Sequence, residues 1–343
     1  MRKASDGKQA PVVDEVSVPR AGNGELVIRM AACGVCGTDV EKIRGEYVTS
    51  AGILGHEAVG TITDVGSGVS DYSVGNRAFP HHHVSCGVCY FCRNGSKTMC
   101  LDYRKSNIFP GGFSEYIRVP AWNVERGGVL ILPGNIDFIE ATMIEPLACC
   151  IRALNKCPLP TGGTALVVGA GPVGLAHSLV LASRGGRVML SDISQARLEF
   201  ARRLEIGETL DARSDVPSIV KKSTEGRGVD LAVVAAGSPS AILQGVRSVR
   251  RGGTVCLFGI PPEGTRLEED ISEVYGSEIS IVPSYGATEQ ETKEALEFIS
   301  RRPAEFRSLV TRTFPIDEFL AAVEASVGGN EMKVAVTPSQ GQA

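Results

Sequence analysis

No apolar run in this chain approaches the roughly 20 residues that a bilayer-spanning helix requires, which argues against a membrane role. The stretch Met1–Lys8 is polar and lacks the apolar segment of a secretory signal, so a cytoplasmic, reducing setting is expected. Basic residues form no block and do not interleave with aromatics, and the net charge is −4, so no nucleic-acid partner is expected. Histidine is scarce: the 5 in the chain are His56, His81, His82, His83 and His177. An imidazole ligand in the first half must therefore be His56 or come from the run His81–His83, which reads as loop surface, with the alternative that one of the three lines the pocket.

Cysteine, by contrast, is plentiful. Of the 10 present, Cys86, Cys89, Cys92 and Cys100 crowd into fifteen residues as C-x2-C-x2-C-x7-C. In a reducing compartment such crowding points to metal rather than to disulfides. Four thiolates close a tetrahedral zinc shell, so the array predicts a structural zinc that ties down a loop with little core of its own. Cys33, Cys149, Cys150, Cys157 and Cys256 read as small apolar groups in or near cores.

At 343 residues the chain is longer than one core usually supports, and two domains are expected. From Val12 to about Glu125, short β-rich segments (25–31, 58–65, 113–119) alternate with Gly and Pro turns, the texture of an irregular β domain. After Thr161, strand candidates at 165–168, 187–191, 208–210, 231–235, 254–258 and 278–282 alternate with helical stretches at 173–183, 194–204, 216–223 and 240–249. That alternation predicts an α/β fold with a Rossmann doubly wound parallel six-stranded sheet. A helix at 289–301, another near 316–325 and a closing strand at 333–336 should return to the first domain. The expected division is 1–146 with 286–343, and 147–285.

The run Leu166-Val167-Val168-Gly169-Ala170-Gly171-Pro172-Val173-Gly174 is a strand entering a Gly-x-Gly-x-x-Gly turn that opens a helix. Gly169 permits the tight turn, Gly171 lets the backbone approach a pyrophosphate, and Gly174 lets helix and strand pack closely. The helix opening at Pro172 and Val173 turns free N–H groups and a positive dipole end toward the phosphates. A lone match would be weak. Here Asp192 closes the next strand, where a carboxylate takes a ribose 2′-hydroxyl and repels the 2′-phosphate of NADP. NAD is therefore expected over NADP. Arg197, in the first turn of the next helix, reads either as a solvated residue or as a cation able to approach a 2′-phosphate.

A second donor set is dispersed: Cys33-Gly34-Val35-Cys36-Gly37-Thr38-Asp39, then Gly55-His56-Glu57, then Glu145-Pro146-Leu147. A catalytic zinc takes about three protein ligands and keeps a position open for water or substrate. Cys36, His56 and one carboxylate would supply that. Cys33-x-x-Cys36 reads equally as a redox pair or as an edge of the structural site.

Cys36-Gly37-Thr38-Asp39, Gly55-His56-Glu57, the four-cysteine lobe, Gly112-Phe113-Ser114-Glu115-Tyr116, Glu145-Pro146-Leu147 and the glycine turn share one further property. Their order and spacing resemble the zinc-containing medium-chain dehydrogenases, in the branch of sorbitol, threonine and related polyol dehydrogenases, from about Val12 to Val336. The resemblance implies a GroES-like catalytic domain beside the Rossmann domain, and two zinc ions per chain, one catalytic and one structural. It implies hydride transfer between a secondary alcohol or polyol, or the matching ketone, and NAD. Cys36 and His56 would bind the catalytic zinc, with Glu57 a ligand or switching partner. Glu145 stands where alcohol dehydrogenases carry a cysteine and polyol dehydrogenases a glutamate that binds zinc directly or through water.

Thr38 matches the hydroxyl residue that starts the family's proton relay, whereas Glu41 stands where many members carry histidine. Ser284-Tyr285 stands where animal sorbitol dehydrogenases resemble an Arg-Tyr pair, which argues against sorbitol itself. A threonine-type 2-amino-3-hydroxy acid dehydrogenase ranks second, because Glu145-Pro146-Leu147 differs from the Asp-Pro-Phe of that group. A non-catalytic cofactor-binding relative ranks third. Loops at 43–53 and 107–111 would wall the substrate pocket; the strand at 279–282 would stand at a sheet edge that needs covering, and the resemblance implies that it pairs across a two-fold axis in a homodimer or homotetramer.

Overall fold

Leu26, Ile28 and Met30 alternate along the strand Leu26–Gly34, all buried, and this strand organises the first unit of the chain. The structure is a computed structural model that describes residues 2–5, 12–44 and 54–339, so most of the expected pocket loop at 43–53 lies outside the described residues. Residues 1–148 and 287–343 form this first unit, and residues 149–286 the second.

In the first unit, Leu26–Gly34 pairs antiparallel with Glu57–Val65 along its whole length. Its other edge is shared: Tyr116–Val119 lies beside its first residues and Lys333–Thr337 beside its last. The sheet runs Val310–Pro315, Lys333–Thr337, Leu26–Gly34, Glu57–Val65, Arg77–Pro80, Val129–Ile131, with Tyr116–Val119 attached to Leu26–Gly34. The pairing of Val310–Pro315 with Lys333–Thr337 is parallel and the others are antiparallel. Register slips between Val27 and Ile28 and between Met30 and Ala32 give the sheet its irregularity. Ile28, Ile62, Ile117, Val334 and Phe319 share one buried core, and the Phe113 and Phe319 rings meet at 4.9 Å.

The second unit holds six parallel strands in the order Glu208–Asp211, Arg187–Asp192, Thr164–Val168, Val229–Val234, Val249–Leu257, Ser280–Pro283. In chain order this is 3-2-1-4-5-6, the Rossmann arrangement, whose direction of winding reverses beside Thr164–Val168. Leu166, Val168, Met189, Ala232, Val234 and Val255 form its core, the continuous apolar strands of a sheet covered on both faces. The helices Pro172–Ser183, Gln195–Arg203, Val216–Ser223 and Pro239–Ser248 are the expected crossovers. Two further helices, Gly37–Arg44 and Ile144–Lys156, are not announced by the sequence pattern. The first is short and polar, and Pro146 in the first turn of the second reads in sequence as a helix breaker. No helix among the described residues is long and apolar enough to cross a membrane.

Candidate active site and metal centres

Strand register assembles the dispersed donor set. Gly34, last in its strand, pairs with Glu57, first in the next, so Cys36 and His56 just beyond those ends meet. Ligand-capable atoms of Cys36, His56 and Glu57 all lie within 4.8 Å of one another. The helix Gly37–Arg44 follows Cys36 and carries the fully buried Asp39 in its first turn. Asp39 ties the two segments together: Oδ1 accepts the Gly55 N–H at 3.0 Å and Oδ2 the Cys36 N–H at 3.3 Å. Gly55 turns with φ +80°, and a Cβ there would stand 2.5 Å from the Phe113 nitrogen, so only glycine fits. Thr38 Oγ1 donates to Cys36 Sγ at 3.3 Å.

Asp39 Oδ1 also stands 3.4 Å from His56 Nδ1. That contact assigns the Nδ1 proton to Asp39 and leaves Nε2 with a lone pair to give. Burial opposes the Asp39 charge, but His56, Lys42 and the Gly55 N–H outweigh it and hold the carboxyl at about 2. Burial likewise opposes charge on His56, yet Asp39 and Cys36 lift its pKa well above the ordinary imidazole value. The surroundings therefore favour positive charge, and a sulfur, an imidazole and a carboxylate are donors that zinc takes. These residues fit a catalytic zinc.

Lys333 is a member of this centre that sequence reasoning missed. Its Nζ lies 2.6 Å from Glu57 Oε1 and 2.5 Å from Oε2, with both side chains buried. The pair crosses Gly34, where a Cβ would meet Glu57 Oε2 at 2.0 Å and Lys333 Cε at 2.9 Å. Burial works against the lysine's charge, but Glu57, Cys36 and Glu145 raise its pKa above the usual value. Glu145 is buried in the first turn of Ile144–Lys156 and acts on Lys333, but it does not join the close cluster of Cys36, His56 and Glu57. The expected four-residue ligand set is thus three residues brought together and Glu145 set apart.

The histidine run is not loop surface. His81 is fully buried, and His82 and His83 are half-buried. The His82 ring centroid lies 4.9 Å from that of His56, 5.4 Å from His81 and 4.1 Å from His83, which is 5.1 Å from Tyr103. His83 Nδ1 is 2.9 Å from the Ser106 carbonyl oxygen, and Asn123 Nδ2 donates to the carbonyls of His81 at 2.8 Å and His82 at 3.2 Å. Asn123 satisfies the backbone of a buried irregular segment, and that makes the inward position tolerable. Burial pushes His81 down to about 3, His83 to about 4 and His82 well below the ordinary value.

Cys86, Cys89, Cys92 and Cys100 converge on one point, with sulfur separations of 3.5 Å for Cys89–Cys92 and Cys86–Cys100 and 3.9 Å for Cys86–Cys92. Four sulfurs about 2.3 Å from a tetrahedral zinc stand about 3.8 Å apart, so the array fits that ion. The Val88 and Cys89 N–H groups draw the Cys86 thiol down to about 6, while burial and Cys89 push Cys92 up to about 12. A central cation is what lets all four exist as thiolates. Cys33, Cys150, Cys157 and Cys256 are buried and Cys149 is half-buried, and Cys33 lies in the apolar core.

In the second unit Gly169 turns with φ +104°, and a Cβ on Gly174 would lie 1.8 Å from the Gly169 oxygen. Gly171 caps the helix Pro172–Ser183, whose first residues are Pro172 and Val173. The nearest atom to a Cβ at Gly171 is Arg197 Nη1 at 3.8 Å, which leaves the turn open to a close-lying ligand. Asp192 Oδ2 accepts the Ala170 N–H at 2.7 Å and Oδ1 the Ser194 N–H at 2.8 Å, so the carboxylate is locked beside the turn. Each oxygen keeps capacity for a ribose hydroxyl. Arg197 is half-buried and reaches back to within 3.9 Å of Asp192 Oδ2, with its Nε buried and, among the described residues, without a partner. It is therefore no solvated helix residue. The turn and Asp192 fit a dinucleotide.

The chain matches the alcohol dehydrogenase GroES-like domain over residues 22–127 and the zinc-binding dehydrogenase family over residues 172–301. It is 30% identical to a sorbitol dehydrogenase of Halalkalibacterium halodurans, with 98% of each chain covered. It is 27% identical to an L-threonine 3-dehydrogenase of Idiomarina loihiensis, over 93% of this chain and 94% of that protein. Among solved structures, a zinc-binding dehydrogenase of Sinorhizobium meliloti bound to NADP superposes with a TM-score of 0.89 at 26% identity, covering 98% of this chain and 99% of that one.

Proposed function

We propose, from the premise that this chain belongs to the zinc-binding medium-chain dehydrogenases, that it oxidises a secondary hydroxyl of a polyol with NAD, at a centre built from Cys36, His56 and Glu57. The observation that carries this reading is the convergence of those three donors in surroundings that favour a cation. Cys36 and His56 would hold zinc, with Glu57 and Glu145 as nearby carboxylates. Bound zinc supplies a Lewis acid that makes a substrate hydroxyl acidic near neutral pH, and bound NAD supplies the hydride acceptor.

The chain's own residues do the rest. Asp39 fixes the imidazole of His56 so that Nε2 faces outward. Thr38, whose hydroxyl touches Cys36 Sγ, starts a relay: it takes the proton released by the substrate while passing its own hydroxyl proton onward to solvent. Lys333 balances the Glu57 charge, so the site does not accumulate uncompensated carboxylates. Gly169, Gly171 and Gly174 cradle the pyrophosphate, and Asp192 takes the ribose hydroxyls and favours NAD over NADP.

The test is turnover. Zinc-loaded protein should reduce NAD with polyols or secondary alcohols, and Cys36→Ser should abolish turnover while leaving the fold and NAD binding in place. Silence across a panel of alcohols, polyols and ketones would overturn the reading. A threonine-type reading is favoured by the L-threonine 3-dehydrogenase relative. L-threonine in the same panel decides between the two.

A homodimer or homotetramer is part of the proposal. Its support is the edge strand Ser280–Pro283, paired on one side among the described strands, beside Ile271 and Tyr275, which are 73% and 86% exposed. Sedimentation tests it. A reducing, cytoplasmic setting is part of the proposal, supported by the convergence of Cys86, Cys89, Cys92 and Cys100 as a metal site rather than as disulfides.

A further inference from the structure

We propose that His82 reads a second hydroxyl of the substrate, which makes the centre selective for alcohols that carry another oxygen beside the reacting one. The inference rests on the dehydrogenase reading and specifies the substrate class of the same site. His82 is the ring packed against His56, 4.9 Å between centroids, yet it stands outside the donor cluster of Cys36, His56 and Glu57. Its Nδ1 is buried and has no hydrogen-bond partner among the described residues. A buried polar atom left unsatisfied in a folded protein calls for a partner that arrives from elsewhere.

The ring is held without using its Nδ1 among the described residues. His83 packs on it at 4.1 Å and is itself anchored at 2.9 Å to the Ser106 carbonyl. His81, fully buried, stands edge-on at 5.4 Å, and Asn123 holds the His82 carbonyl at 3.2 Å. Three neighbouring rings and the Asn123 bond to its backbone thus fix where the imidazole sits, and its Nδ1 is left over. An imidazole offers one donor and one acceptor, as a hydroxyl does, so the two pair in either sense. A site meant for a simple apolar alcohol gains nothing from an unsatisfied imidazole at that place. A site meant for a polyol gains discrimination, because an analogue lacking the hydroxyl leaves a buried polar group unpaired.

The experiment compares wild type, His82→Phe and His82→Gln, each zinc-loaded and supplied with NAD, on 2,3-butanediol and 2-butanol. Phenylalanine keeps the ring packing and removes the hydrogen bond, whereas glutamine restores a donor and an acceptor. The ratio of kcat/KM for the diol to that for the mono-alcohol should fall about ten-fold or more in His82→Phe and recover in part in His82→Gln. A ratio unchanged within about two-fold in both variants would overturn the assignment. Calorimetric binding of the diol to the zinc-loaded protein with NADH gives a readout independent of turnover. If wild type turns over neither alcohol, the dehydrogenase reading falls. The calorimetry still decides on His82: weaker diol binding in His82→Phe supports it, and absent or equal binding overturns it.

Discussion

Lys333 and Glu57, 276 residues apart in sequence, grip each other at two points, 2.6 and 2.5 Å, with both side chains buried. Both side chains lie too deep for either charge to reach bulk solvent if its partner is removed. Lys333→Ala should therefore cost about 3–5 kcal/mol in urea unfolding, because Glu57 is left as a buried, uncompensated charge. Lys333→Met combined with Glu57→Leu should recover most of that loss. A single-variant loss under about 1 kcal/mol would mean that the pair is solvated.

Asp39→Asn keeps the shape of the Asp39 side chain and removes its charge. The carboxylate now orients His56 and takes two backbone N–H groups. Zinc affinity of the catalytic centre should weaken about 10–100-fold, read by competition with a chromogenic chelator, while the four-cysteine zinc stays bound. Equal loss of both ions would indicate unfolding instead.

Asp192→Ala removes the carboxylate locked between the Ala170 and Ser194 N–H groups and leaves Arg197, now 3.9 Å from it, free to meet a 2′-phosphate. The preference of kcat/KM for NAD over NADP should fall by about ten-fold or more. An unchanged ratio would show that Asp192 serves the turn alone.

His177 sits fully buried in Pro172–Ser183, edge-on to Phe258 at 4.5 Å, with neither ring nitrogen partnered among the described residues. Burial pushes its pKa from 6.5 down to about 3. Below the ordinary value the unfolded chain binds a proton that the folded chain refuses. The stability is whole above 6.5 and falls as the pH drops toward 3, by about 1.4 kcal/mol per pH unit for this one group. His177→Leu should flatten the acid limb of a Tm-against-pH curve, and an identical limb would rule the group out.

The Rossmann unit is legible in the sequence because each of its signals is local: an apolar run, a glycine turn, a closing acid. The four-cysteine lobe is legible for the same reason. Lys333 is not, since its partner lies far away in sequence and a lysine opening the strand Lys333–Thr337 looks like an ordinary solvent-facing end. His81–His83 mislead in the opposite sense. A polar run reads as surface until Asn123, distant in the chain, is seen to take its carbonyls. Glu145 matched a pattern by position, but only three-dimensional placement separates it from the close donors.

The last strand of the chain, Lys333–Thr337, is wedged between Val310–Pro315 and Leu26–Gly34. During synthesis the first unit must wait. Its opening strands leave the ribosome early, but the lysine that neutralises Glu57 follows only after the whole intervening unit, residues 149–286, has been made. A chain interrupted before Lys333 carries a half-built centre with an acid and no counterweight, and should fold its nucleotide unit while leaving the first unit unfinished.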